Sequence, residues 1–185
     1  YMPVFESAAM IPPQTRREAL TEVRAQLDTV SGSILNIRVG GNDLSHAFGL
    51  RRPANRTIYD LRPVADILID IVAAFGTQYV VSGPVWEYYS GEGWEEGLRR
   101  EMELDLLNGF TGKTVIHPNQ IPVVNEMLRV SQRDYADARA ILNWDTGSGS
   151  LVSASEDGGR MNEYNTHSRW ARRIVLRAER YGVRA

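Results

Sequence analysis

Residues 109–128 read GFTGKTVIHPNQIPVVNEML. Gly109 closes a helical pattern, Lys113 leads into a short apolar strand over 114–116, and the polar cluster His117-Pro118-Asn119-Gln120 stands at that strand's carboxyl end. A second helical pattern follows at once. A strand that ends in polar residues and runs straight into a helix is the building unit of parallel α/β sheets, and ligands are handled at that carboxyl end. Alone, the segment reads equally well as an ordinary strand-to-helix turn with a capping histidine.

Three units of the same kind precede it. A short apolar strand over 2–5 ends at Glu6, and Thr15-Arg16-Arg17-Glu18 reads as a capping box opening a helix with Leu20, Val23 and Leu27 on one face. The second strand, 34–39, alternates Leu35, Ile37 and Val39 with Asn36 and Arg38 and ends in Gly40-Gly41-Asn42-Asp43. One polar face suits a barrel, in which one side of each strand looks into the lumen and the other lies under helices. Pro63 and Gly76 bracket a helix carrying Val64, Ile67, Leu68, Ile71 and Phe75. The third strand, 78–81, runs into Ser82-Gly83-Pro84-Val85-Trp86, and a helix over 93–108 leads back to Gly109.

Four β/α units in series call for a parallel sheet and make half of an eight-stranded barrel. Half a barrel leaves two strand edges unpaired. The rest is therefore expected from upstream residues or a partner, and an opening at Tyr1 that already reads as strand suggests a fragment. Beyond residue 128 the pattern changes. Ser131 is placed to cap a helix, residues 146–150 form a Ser/Gly-rich linker, and Gly158-Gly159-Arg160-Met161-Asn162-Glu163 precedes a last helix bearing Trp170 and Ile174. Residues 1–128 are expected to be the barrel part and 129–185 a helical lid or oligomerisation appendage.

Composition narrows the partners. The 185 residues carry net charge −2 with pI near 6.0, which offers no basic footprint for nucleic acid or a membrane surface and leaves small molecules or protein partners. The chain has no cysteine, which removes disulfides, thiolate nucleophiles and zinc–thiolate sites and is compatible with a cytoplasmic location. Its longest apolar stretch, 67–81, is interrupted by Asp70, Thr77 and Gln78, too polar to span a bilayer.

Glu6 and Asp43 both follow strand ends and would converge on the barrel mouth. Two carboxylates with water and substrate oxygens suit Mg²⁺, with Mn²⁺ as the alternative ion; either acid alone reads as a cap or a surface charge. Gly40 and Gly41 let the backbone approach a ligand, although most glycine pairs only mark turns. Arg38, on the lumen side of its strand, calls for an anion: a substrate carboxylate or phosphate, or Glu6 and Asp43 themselves. Arg51, Arg52 and Arg56 form either an anion-attracting rim or a set of solvated loop arginines. Trp86, Tyr88 and Tyr89 offer a stacking surface or pack on the next helix. His117 invites a general-base assignment.

The quoted run resembles the GxxGKxxIHPxQ signature of the HpcH/HpaI aldolase and citrate lyase beta-subunit-like family. VFES, from Val4 to Ser7, resembles that family's strand-end Glu-Thr, GGNDLS resembles its Gly-x-x-Asp-Leu, and GRMNE resembles its Gly-x-Met-Ile-Asp. The resemblance implies a (β/α)8 TIM-barrel fold, with this chain supplying about the last four units. It implies a Mg²⁺-dependent carbon–carbon lyase acting on a β-hydroxy acid or its coenzyme A thioester through a metal-stabilised enolate. On this reading Glu6 and Asp43 hold the metal, Arg38 belongs to the catalytic set and engages the anionic substrate, and Gly40, Gly41, Arg52, Arg56, Trp86 and His117 bind substrate, His117 by hydrogen bonding in preference to proton transfer as in the family. Glu163 is the acid/base, presented to a neighbouring subunit of a homo-oligomer, a trimer or hexamer. Where the family has Asp-x-Val after the third strand this chain has Ser82-Gly83-Pro84-Val85-Trp86 and then Glu87, and the family's upstream acidic motif and substrate arginine have no counterpart. Two rivals stand beside this reading: a non-catalytic binding or assembly protein that keeps the pocket, since half of the family's site is missing, and a related enzyme for a phosphorylated or nucleotide-like substrate, favoured by the arginine rim and the aromatic loop.

Overall fold

Four short strands lie side by side in chain order, all parallel, in a computed structural model that describes residues 1–144, 152–155 and 158–184: β1 (Val4–Phe5), β2 (Ile37–Val39), β3 (Val81–Gly83) and β4 (Gly112–Lys113). The chain falls into two compact units, Tyr1–Met127 and Leu128–Ala185. In the first, the helices are α1 (Pro13–Thr29), α2 (Gly41–Ala47), α3 (Arg62–Phe75), α4 (Trp94–Leu107) and α5 (Gln120–Met127).

Pairing register fixes which side chains share a face. Val4, Arg38, Ser82 and Gly112 align across the sheet, so they lie on one side; Phe5, Val39, Gly83 and Lys113 lie on the other. The second side is the core. Phe5, Ile37, Val39 and Val81 pack there with Leu20 of α1 and Ile67, Leu68, Ile71 and Phe75 of α3, and the Phe5 and Phe75 rings sit 4.9 Å apart. Each such side chain contributes about 1.5–3 kcal/mol by leaving water. The β/α order, the parallel sheet and the helix bounded by Pro63 and Gly76 stand as the sequence predicts.

The strands sit differently in the sequence. β3 occupies 81–83 instead of 78–81, and Ser82 is therefore inside the strand; Gln78 and Tyr79 are drawn instead into a polar cluster with Arg24 and Asp28. β4 occupies 112–113 instead of 114–116. Lys113 enters the strand because helix carboxylates neutralise it there, whereas Val115 and Ile116 remain exposed. The capping box at Thr15 also fails: α1 already begins at Pro13, and the Thr15 hydroxyl donates to the carbonyls of Ala9 and Pro12.

In the second unit, α6 (Gln132–Leu142) and α7 (Tyr164–Tyr181) enclose a small core of Val130, Ala138, Ile141, Ala171, Ile174 and Ala178. Ser131 caps α6 by accepting from the Asp134 amide at 3.1 Å. This unit is not purely helical. β5 (Val130–Ser131) pairs in parallel with β8 (Val183–Arg184), and β6 (Val152–Ala154) pairs antiparallel with β7 (Met161–Glu163). The Ser/Gly-rich stretch 146–150 lies outside the described residues.

Arg160 ties the hairpin to α6 through Asp134 (2.8 Å) and Asp137. Burial pushes the Asp134 carboxyl up, but hydrogen bonds from Arg160 and Ser131 more than offset it, leaving Asp134 below the usual range. A depressed folded value means that its contribution is present above the unfolded value of about 3.9 and is lost as pH falls through the folded one. Acid should therefore loosen this unit, and Asp134→Asn should flatten that acid limb in a circular-dichroism titration; an unaltered limb would deny Asp134 the role.

Candidate functional site

The rim at the carboxyl ends of β1 and β2 is built around one glycine. Gly40 follows Val39, the register partner of Phe5, and its amide donates to the Phe5 carbonyl at 3.0 Å. A Cβ on Gly40 would lie 2.5 Å from Cβ of Glu6, against the Glu6 carboxylate, and 3.2 Å from Oδ2 of Asp43. The residue is glycine because both acids close over that spot; its φ of −86° makes no demand of its own. Glu6, directly after β1, and Asp43, in the first turn of α2, are thus brought together as their positions predicted, and both are exposed. Among the described residues no group of three or more His, Cys, Asp or Glu side chains forms a metal cluster. Two hard oxygen donors with open surroundings fit an ion that keeps most of its waters, as Mg²⁺ does.

Arg38 lies on the sheet face away from the core. Its guanidinium donates to Thr114 Oγ1 across β3 at 3.4 Å, and Asn36 on the same face donates to Ser82 Oγ at 2.9 Å. Gly112 leaves room for that hydroxyl, since a Cβ there would stand 2.9 Å from Ser82 Oγ. The open face of the sheet therefore carries Asn36, Arg38, Ser82 and Thr114 as a polar set.

Three expected contacts are corrected. Gly41 is buried, its Cα facing Ile58 and Pro84, each 2.6 Å from where a Cβ would be, so it serves packing and not ligand approach. Trp86 is fully buried; its indole donates to the Trp94 carbonyl at 2.9 Å and lies over Gly97, and so it offers no stacking surface. Arg52 is 1% exposed and ion-paired to Glu101 at 2.9 Å, so it belongs to no solvent rim. Arg51 and Arg56 do stay exposed, beside Glu87 (3.1 Å) and Asp60 (3.8 Å) respectively.

His117 stacks on Tyr89 with centroids 4.3 Å apart, and its Nδ1 accepts the Asn119 amide at 3.2 Å. That bond leaves Nε2 to carry the proton of the neutral ring. Gln120, 1% exposed, donates to the carbonyls of Trp86 and Tyr88 at 2.8 Å each and accepts from the Ile116 amide at 3.0 Å, pinning the loop after β3 to the loop after β4. In the second unit, Glu163 ends β7 and precedes α7; its amide donates to His167 Nδ1 at 3.0 Å, and its carboxylate makes no capping bond.

What the sequence reading missed is a charge cluster under the rim. Lys113, the only lysine in the chain, reaches Glu101 at 2.9 Å and Asp105 at 2.7 Å with its side chain fully buried. Tyr59 donates to Asp105 at 2.7 Å, and burial next to that carboxylate pushes the phenol far up. Burial also pushes Asp105 up against the pull of Lys113. Burial alone would lower Lys113, yet Asp105 and Glu101 together hold it above its ordinary value. With two carboxylates facing it, Lys113 stays charged. Gly83 admits Asp105, whose Oδ2 stands 2.5 Å from where a Cβ would be. The one hint in the sequence is a single lysine following a helix with acids four residues apart, Glu101 and Asp105, and it does not say that those acids turn inward.

A protein-family model described as a C–C bond lyase of the TIM-barrel fold matches residues 1–183. An L-malyl-CoA/beta-methylmalyl-CoA lyase of Cereibacter sphaeroides is 38% identical over 74 residues, 39% of this chain and 22% of that protein. The CitE protein of Mycobacterium tuberculosis, solved with magnesium, acetoacetate and coenzyme A, is similar with a TM-score of 0.58 and 26% identity, over 79% of this chain and 52% of that one. A citrate lyase from Burkholderia xenovorans LB400 shares the fold with a TM-score of 0.67 at 18% identity, over 100% of this chain and 54% of that one. The chain thus spans about half the length of these solved relatives.

Proposed function

Because the chain belongs to the C–C bond lyase family of the TIM-barrel fold, we propose that it carries the metal-binding rim of a Mg²⁺-dependent carbon–carbon lyase. Its substrate would be a β-hydroxy acid or the coenzyme A thioester of one. The observation that carries this reading is the meeting of Glu6 and Asp43 over Gly40 at the carboxyl edge of a parallel sheet. The magnesium, acetoacetate and coenzyme A bound to CitE, and the name of the malyl-CoA lyase relative, support the ion and the thioester.

In such a cleavage a base takes the β-hydroxyl proton as Cβ becomes a carbonyl carbon, the Cα–Cβ bond breaks with its electron pair passing into an enolate of the acyl half, and an acid then protonates the enolate carbon. Glu6 and Asp43 would hold Mg²⁺ or Mn²⁺, which when bound supplies Lewis-acid stabilisation to oxygens that gain charge. Arg38, on the open face of the sheet, orients the anionic end of the substrate. His117 Nε2–H is a further donor, and Arg56 adds positive charge at the edge. Glu163 is the proton donor, brought to the rim of a neighbouring subunit in a cytoplasmic homotrimer or homohexamer.

The test is direct. The purified protein, with Mg²⁺, is offered β-hydroxyacyl-CoA thioesters and the free β-hydroxy acids, and the carbonyl and acyl products are followed by NMR. Cleavage that EDTA abolishes is expected. Metal binding with no cleavage of any member of the panel would instead favour a binding protein that keeps the pocket. The role of Glu163 has its own check: inactive Asp43→Asn and Glu163→Gln proteins, mixed under conditions of proven subunit exchange, should regain part of the activity through hybrid sites, and no recovery would remove Glu163 from the neighbour's site.

A further inference from the structure

The segments behind the rim converge on Arg52. Its Nη2 donates to the Val85 carbonyl at 2.5 Å and its Nε lies 2.9 Å from Glu101 Oε2, while its guanidinium sits 5.1 Å from the Trp86 ring centroid. Its Nη1 donates to Oδ1 of Asn42 at 3.2 Å. Glu101 in turn accepts the Ile58 amide at 2.8 Å and Lys113 Nζ at 2.9 Å. The stretch after β2, the loop after β3, and β4 itself are thereby tied to one guanidinium–carboxylate pair.

The bond to Asn42 is the informative one. Glu101 already neutralises Arg52, so Nη1–Asn42 adds no charge balance; what it adds is orientation. Asn42 is the second residue of α2 and the immediate neighbour of Asp43. α2 has seven residues and its N-cap, Gly40, supplies no side-chain bond, so a helix this short keeps its place only through tertiary contacts. Leu44, 1% exposed, anchors it to the core, and the planar fork of Arg52 fixes its first turn.

We infer that Arg52, acting through Asn42, is a positioning residue for Asp43: it sets the first turn of α2 from beneath, against β4 and the loop after β3. The inference rests on the reading of Asp43 as a metal ligand, and partners that orient a ligand are worth roughly 10–100-fold in affinity.

Asn42→Ala removes one hydrogen bond at an exposed residue and leaves the Arg52–Glu101 pair intact. In the purified protein it should speed amide exchange of residues 44–47 roughly two- to tenfold, the worth of one hydrogen bond, leave residues 84–88 unchanged, and weaken Mn²⁺ binding roughly tenfold in calorimetry. Arg52→Lys keeps the charge without the fork and should loosen both segments. Unchanged exchange at 44–47 in Asn42→Ala overturns the inference whether or not the wild type binds Mn²⁺. Faster exchange with undiminished Mn²⁺ affinity overturns it too, since α2 would move without consequence for the ion. Failure of the carboxylate-pair reading is seen elsewhere, in a wild-type Mn²⁺ signal that is absent or survives Asp43→Asn, and that result takes this inference with it.

Discussion

Lys113→Met is expected to lower the unfolding free energy by about 3–5 kcal/mol, the usual cost of removing one partner of a buried ion pair. The substitution keeps the aliphatic length and deletes the ammonium, stranding Asp105 and leaving Arg52 as the remaining cation against Glu101. Urea denaturation measures the loss. Pairing it with Asp105→Leu should restore much of the stability, because the stranded charge goes as well. Lys113 also predicts an alkaline signature. Its folded value is raised by Asp105 and Glu101 against its burial, so its contribution is complete below the unfolded value of about 10.4 and declines as pH rises toward the folded one. The same geometry shields the only lysine from amine-reactive reagents, which should modify it only after unfolding. A loss under about 1 kcal/mol, the range of surface pairs, would mean that the cluster does not anchor β4 to α4.

Asp43→Asn and Glu6→Gln should each reduce carbon–carbon cleavage by more than about 100-fold, beyond the cost of altering an outer partner of a ligand. Neither should unfold the protein, because both side chains are exposed and neither belongs to the core. Far-ultraviolet circular dichroism and the urea midpoint check that separation. Full activity in either variant would remove that carboxylate from the site.

Legibility in the sequence follows the physics of each residue. The helix from Arg62 to Phe75 was readable because its apolar spacing, Pro63 and Gly76 all agree. The approach of Glu6 and Asp43 was readable because both stand beyond the carboxyl ends of adjacent parallel strands, Glu6 directly and Asp43 in the first turn of the helix that follows. Arg52 and Trp86 were not. An arginine in a loop reads as solvated, and only tertiary structure shows that Glu101 and Asp105, which look like the polar face of α4, turn inward to meet Arg52 and Lys113. The limits of β4 shifted for the same reason: a cation is expected outside a strand until its counter-charges are known. The β6–β7 hairpin escaped notice because its inward residue is Asn162, 4% exposed and bonded to Asp137 at 3.2 Å, while Val152 and Met161 face solvent, the reverse of an apolar-in pattern.

The central claim is that Glu6 and Asp43 form one divalent-ion site, and a calorimetric Mn²⁺ titration of the wild-type, Glu6→Gln and Asp43→Asn proteins tests it most directly. A single site in the wild type whose heat disappears in both variants, with each still folded, is the predicted result. Binding that persists unchanged in both variants, or no binding by the wild type at all, would contradict it.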